Sequence, residues 1–205
     1  GVVFPEGITS VFICSQAFEG LSTLTDVVFP ESVTSVEVGS MSFKDCSSLN
    51  CNLPVITFIG KYAFEGCSSL TGTIRCRLLK DNKNFAFDGA FKDCINITEV
   101  EFYSPTTYID IEMFKGCTGL KKVSLPDTMQ LIQRNAFENC SSLTDIKLPQ
   151  YLRDIENSVF KGCSSLTDII IPNKVDYIGY GAFGNCSSLT NITTSEEVIN
   201  EYYER

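Results

Sequence analysis

A phenylalanine recurs along this chain with a period that settles on one value. It stands at Phe18, Phe43, Phe64, Phe91, Phe114, Phe137, Phe160 and Phe183, in steps of 25, 21, 27, 23, 23, 23 and 23 residues. Four equal steps in succession do not arise by chance in a globular sequence. A fixed period of this length marks a repeat architecture, and it constrains the fold more than any other feature here.

The unit reads outward from that marker. Three residues later comes Cys46, Cys67, Cys94, Cys117, Cys140, Cys163 or Cys186, with Leu21 in the first copy. Six later comes Leu24, Leu49, Leu70, Ile97, Leu120, Leu143, Leu166 or Leu189. Nine later the regular copies carry Val27, Val100, Val123, Ile146, Ile169 and Ile192, and eleven later Phe29, Phe102, Leu125, Leu148 and Ile171. Pro30, Pro126, Pro149 and Pro172 follow. Pro54 arrives one place early, and Pro5 belongs to a copy that begins before residue 1, so a segment of a longer protein is expected. Five residues before the marker lies Ile13, Val38, Ile59, Ile109, Ile132, Ile155 or Ile178, with Ala86 as the exception.

Each position has a physical reading. Apolar residues two apart before a proline suit a short strand with one buried face, which the proline then ends. The Ala-Phe segment is too short for an independent helix, so a single helical or 3₁₀ turn is expected there. Two residues after each Phe stands Gly20, Asp45, Gly66, Asp93, Gly116, Asn139, Gly162 or Asn185. These are the residue types that tolerate a left-handed backbone, so a turn cap of that kind is expected in every copy. One unit cannot bury its own apolar face. Copies must therefore stack, about eight coils at about 4.8 Å each making a body roughly 40 Å long, with like residues in files.

The stretch Pro149-x-x-Leu152-x-x-Ile155-x-x-x-Val159-Phe160-x-Gly162-Cys163-Ser164-Ser165-Leu166-x-x-Ile169-x-Ile171-Pro172 resembles the BspA-like class of leucine-rich repeats. The resemblance runs from about Val2 to Thr194. It implies a curved α/β-type repeat solenoid, with a parallel sheet of short strands on one face and short helical or 3₁₀ turns on the other. It also implies a family found on surfaces of mucosal bacteria and some parasitic protists, with binding and adhesion roles. One solenoid is expected over 1–194, and a C-terminal cap or tail over 195–205, where Tyr202 and Tyr203 form either a contact patch or part of a packed cap. Copies marked by Phe18 and Phe43 carry two extra residues between proline and aliphatic. The run 71–84 lacks the proline and is basic, which predicts an irregular coil with a bulging loop.

Composition narrows the function. Sixteen Lys and Arg against 25 Asp and Glu leave a net charge of -9, which argues against nucleic acid or an anionic membrane surface as partner. With no His, Ser–His and Cys–His nucleophile pairs and His-containing metal sites are excluded. No apolar run approaches the roughly 20 residues of a membrane span. No export signal is visible from Gly1 onward.

Several side chains invite a chemical reading. The repeat-position cysteines read as a buried file of small apolar thiols. Cys14, Cys51 and Cys76 lie off that position, and Cys46–Cys51 or Cys67–Cys76 are candidate local disulfides. Zinc is not expected, because no Cys-x-x-Cys occurs. Asp145 and Asp168 share a repeat position with Asp26 and Glu99. They read as outward-facing residues interleaved with Lys122 and Lys147, although such a row could also hold a cation or act as an acid–base pair. The sequons at Asn96, Asn139, Asn185 and Asn191 are glycan acceptors only in a secreting eukaryote. Asn139 and Asn185 are already explained by their turn position.

Three functions compete. A non-enzymatic module would bind a protein or glycan through the exposed strand positions Glu99, Glu101, Lys122, Ser124, Asp145, Lys147, Asp168 and Ile170, with no cofactor and no metal. A structural spacer would carry the same surface without a ligand. An enzyme would need a pocket of perturbed acids, and no motif supports one. The first reading is preferred. The resemblance places it at the cell surface or outside the cell, although free thiols suit a reducing setting better.

Overall fold

The computed structural model describes residues 1–78 and 87–193. Tyr202, Tyr203, the proposed cap over 195–205 and residues 79–84 of the predicted irregular coil lie outside the described residues.

Short strands form two files along the stack. One file precedes the marker Phe: β2 (Ser10–Ile13), β4 (Ser35–Val38), β5 (Val55–Ile59), β8 (Tyr108–Ile109), β10 (Leu131–Ile132), β12 (Asp154–Ile155) and β14 (Tyr177–Ile178). The other follows the repeat Leu: β1 (Val2–Val3), β3 (Val27–Val28), β6 (Gly72–Cys76), β7 (Ile97–Phe102), β9 (Lys122–Ser124), β11 (Asp145–Ile146), β13 (Asp168–Ile170) and β15 (Asn191–Thr193). Every pairing is parallel and joins neighbouring coils, as in Ile109–Ile132–Ile155–Ile178. This is a β-solenoid of about eight turns with a leucine-rich-repeat fold.

The files form sheets of different lengths. A seven-stranded sheet runs β11-β9-β7-β6-β5-β4-β2, and a four-stranded sheet runs β14-β12-β10-β8. The longer sheet crosses from one file to the other where Ile56 pairs with Cys76. The irregular copies lie there. In the copy marked by Phe43 the chain is one residue short, and buried Cys51 stands near the slot that an aliphatic holds elsewhere. Between β6 and β7 the register shifts at Gly72/Thr73, where Thr98 of β7 is left unmatched, and beyond it Ile74 pairs with Val100 and Cys76 with Phe102.

Phenylalanines fill the interior in a single stack from Phe18 to Phe183. Successive ring centroids lie 5.1–5.7 Å apart with nearly parallel planes. Offset stacking at this spacing is favourable, and it adds to the gain from burial.

The expected helical or 3₁₀ turns do not form: among the described residues there is no helix. The hydrogen bonds explain why. From Gln16 to Leu21, the amides of Ala17, Glu19 and Leu21 donate three residues back within the coil, to Cys14, Gln16 and Phe18. Those of Gln16, Phe18 and Gly20 donate across to Ser40, Ser42 and Lys44 of the next coil. Half of the amides are thus committed between coils, so no helical ladder propagates. The predicted left-handed residue two after Phe holds in all eight copies, with φ between 59 and 76°.

An ion-pair ladder runs along this segment. Lys44 meets Glu65 at 2.8 Å, Lys92 meets Glu65 at 3.8 Å and Glu112 at 3.2 Å, and Lys115 meets Glu112 at 3.1 Å and Glu138 at 3.0 Å. Lys161 closes the series on Glu138 at 3.2 Å.

Candidate binding surface

Period-two alternation positions the candidate residues. On β7, β9 and β13 the central aliphatics Val100, Val123 and Ile169 point inward and are buried. The flanking residues therefore face outward. Lys122, Asp145, Lys147, Asp168 and Ile170 are exposed, and Glu99, Glu101 and Ser124 are half-buried. Register sets Glu99 beside Lys122, Lys122 beside Asp145, and Glu101 beside Ser124.

Part of this row satisfies itself. The Lys122 ammonium meets Glu99 at 2.7 Å, and Arg75 meets Glu101 at 3.2 Å. The hydrogen bond from Lys122 holds the Glu99 carboxyl below the usual carboxylate range, and the same bond raises Lys122. Tyr103 donates its hydroxyl to Glu101 at 2.6 Å, and this bond raises the phenol. Asp168 accepts from Thr167 at 2.6 Å and from Asn191 at 2.5 Å, which lowers its carboxyl in that order of importance.

Five of the eight candidates line a shallow groove of about 640 Å³. Lys122, Ser124, Asp145, Lys147 and Ile170 contribute to it, whereas Glu99, Glu101 and Asp168 do not. The groove lies where the longer sheet ends at β11 and the separate β13–β15 pair begins. Asp127, Gln150, Pro149 and Pro172 complete its walls, and the strand-by-strand reading missed them because they belong to the turns after the strands. Ile170 is 70% exposed beside these prolines, an apolar contact point inside a charged frame.

The BspA-type leucine-rich-repeat family model matches residues 1–90 and 87–203. The chain belongs to this family. A leucine-rich repeat protein of T. pallidum is 33% identical over 58% of this chain and 57% of its own, with a TM-score of 0.52. One from Bacteroides ovatus ATCC 8483 is 23% identical and covers 94% of this chain and 68% of its own, with a TM-score of 0.58. One from Eubacterium ventriosum ATCC 27560 is 20% identical and covers 92% of this chain and 46% of its own, with a TM-score of 0.54. The latter two share the fold. This chain spans 57% and 46% of the T. pallidum and E. ventriosum chains, about half of each. A search of curated proteins finds no match.

In this BspA-type stack the repeat cysteines form the predicted inward file, buried except for half-buried Cys186. Each of these seven repeat thiols donates to the backbone carbonyl of a Phe in the preceding coil, at 3.0–3.3 Å. Burial pushes these thiols well up, so they stay protonated. The candidate bridges Cys46–Cys51 and Cys67–Cys76 do not form, because all ten cysteines are free. Cys51 and Cys76 instead fill apolar slots in the stack, and burial pushes Cys51 up to about 12. Cys14 alone is exposed.

The sequon asparagines lie at turns and strand ends. Asn139 and Asn185 have positive φ, as their turn position requires. The Asn96 amide donates to the Ser68 carbonyl at 2.7 Å. Among the described residues no group of three His, Cys, Asp or Glu could hold a metal ion, and no helix is long and apolar enough to cross a membrane.

Proposed function

We propose that this chain is a non-enzymatic protein-binding module of a cell-surface or secreted protein, serving adhesion or host interaction. It captures its partner in the groove around Lys122, Asp145 and Lys147. Membership of the BspA-type family supports a protein-binding role. The observation that carries the site is the groove itself, which gathers exposed charges from successive coils around the 70% exposed Ile170. Among the described residues neither Asp145 nor Lys147 is ion-paired, so both can meet a partner's charges without first losing their own.

A spacer without a ligand is the competing reading, favoured by the Glu99–Lys122 and Arg75–Glu101 pairs that already neutralise the adjoining surface. One experiment separates the two. Lys122, Asp145, Lys147 and Asp168 are replaced together by Ser, and capture from epithelial and extracellular-matrix extracts is compared with wild type at matched circular dichroism. The binding module loses a specific captured protein. Identical capture by both chains returns the surface to a spacer.

A further inference from the structure

A second concave site lies on the four-stranded sheet, outside the groove proposed above. Arg134, Asp154, Glu156, Asn157 and Tyr177 line a depression of about 470 Å³. This is within the size range of small-ligand sites. Its construction follows from register. Asp154 of β12 and Glu156 just after it flank buried Ile155, so both face outward. Tyr177 of β14 sits beside Asp154 and is 48% exposed.

The polar groups are arranged rather than scattered. The Asn157 amide oxygen accepts from the Tyr177 hydroxyl at 3.2 Å and from the Tyr180 backbone amide at 2.8 Å. Both bonds use the oxygen, so the amide NH₂ remains a donor. Glu156 accepts the Arg134 backbone amide at 2.9 Å with one carboxylate oxygen, which fixes its position and leaves the other. Among the described residues neither the Arg134 guanidinium nor the Asp154 carboxylate is ion-paired. Tyr180, whose backbone amide donates to Asn157 of the lining, is 89% exposed.

We propose that this depression binds a neutral oligosaccharide, with Tyr177 and Tyr180 against the sugar's apolar face and Asp154, Glu156, Asn157 and Arg134 bonding its hydroxyls. A pyranose has C–H groups on its faces and hydroxyls at its rim, each both donor and acceptor. The depression offers aromatic surface beside two acceptors and two donors, which matches that pattern. Two carboxylates disfavour an anionic sugar. The Arg134 guanidinium in the same lining offsets the acidity that would recruit a strongly cationic peptide.

The test is a panel of neutral gluco-, galacto-, manno- and N-acetylglucosaminyl oligosaccharides, with sialyllactose and an octalysine peptide as counter-probes, followed by calorimetric titration. A neutral oligosaccharide binds with sub-millimolar Kd. Tyr180→Ala and Asp154→Asn each weaken it about tenfold, while Lys147→Ser leaves it unchanged. Tyr180 is exposed enough for its variant to fold normally, and circular dichroism verifies this. The proposal is overturned if no neutral oligosaccharide binds at millimolar concentration, if Tyr180→Ala binds as wild type does, or if octalysine binds instead. Because the groove variant is scored separately, failure here leaves the protein-binding reading standing, and the reverse also holds.

Discussion

Two residues before each marker Phe the backbone is left-handed in all eight copies, with φ between 55 and 63°. Gln16, Met41, Tyr62, Glu112 and Ser158 hold this conformation with full side chains, although it costs such a residue about 1–2 kcal/mol. The cost is offset by the alternating bonds within and between coils that this geometry aims. Ser158→Gly therefore removes the strain while keeping the Ser158 amide's bond to Tyr180. After the extra flexibility of glycine in the unfolded chain is deducted, the variant gains about 0.5–1 kcal/mol in urea unfolding. Ser165→Gly, at an ordinary φ, loses stability in the same assay. The contrast also shows what a sequence can display. Two residues after Phe only Gly, Asn and Asp occur, so the left-handed turn is legible. Two residues before it the types vary, because stacking between coils overrides the local preference, and the same backbone state leaves no trace in composition.

Along the Phe segment, the residue just after the marker is Lys44, Glu65, Lys92, Lys115, Glu138 and Lys161 in six successive copies. Coil stacking turns residues about 23 apart in sequence into neighbours, and with Glu112 they become one ion-pair ladder. The order of signs was visible in the chain, but their contact depended on side-chain reach across coils. Glu138 is the most buried carboxylate in this ladder. Burial opposes its charge, yet hydrogen bonds from Lys115 and Lys161 outweigh that and hold its carboxyl below the usual value. A group lowered in the folded state adds stability above its unfolded pKa, and that contribution is lost as pH falls through the folded pKa. Glu138→Gln accordingly costs about 1–3 kcal/mol near neutral pH. The gap between variant and wild type closes below about pH 4, read by urea unfolding at pH 7 and pH 3. The candidate groove divides in the same way. Its strand residues were legible from alternation, whereas Asp127, Gln150 and the prolines were not, because turns carry no fixed period.

At the scale of the whole molecule, each coil touches only its neighbours, so stability is a sum of interfaces. The period of the phenylalanines therefore revealed the architecture itself, even where it could not reveal a ligand. This picture differs measurably from a compact fold with one shared core. Phe114 is fully buried, stacks on Phe91 and Phe137 at 5.4 and 5.6 Å, and meets the edge of Phe102 at 5.9 Å. Phe18 is only half-buried and, among the described residues, stacks on Phe43 alone. Phe114→Ala removes both faces of an interface and leaves a cavity, which costs about 3–5 kcal/mol. Phe18→Ala costs about half as much, because one face and part of the burial were never present. Hydrogen exchange adds a spatial reading. In Phe114→Ala, protection falls first in the coils around Phe91 and Phe137, while the coils around Phe43 and Phe160 keep theirs. Equal costs for both variants, with protection lost everywhere at once, would mean that the coils do not act as serial units. A stack of serial units can vary one coil's exposed strand or turn residues without disturbing the next, which is what allows the groove and the depression on the four-stranded sheet to be separate sites on one rod.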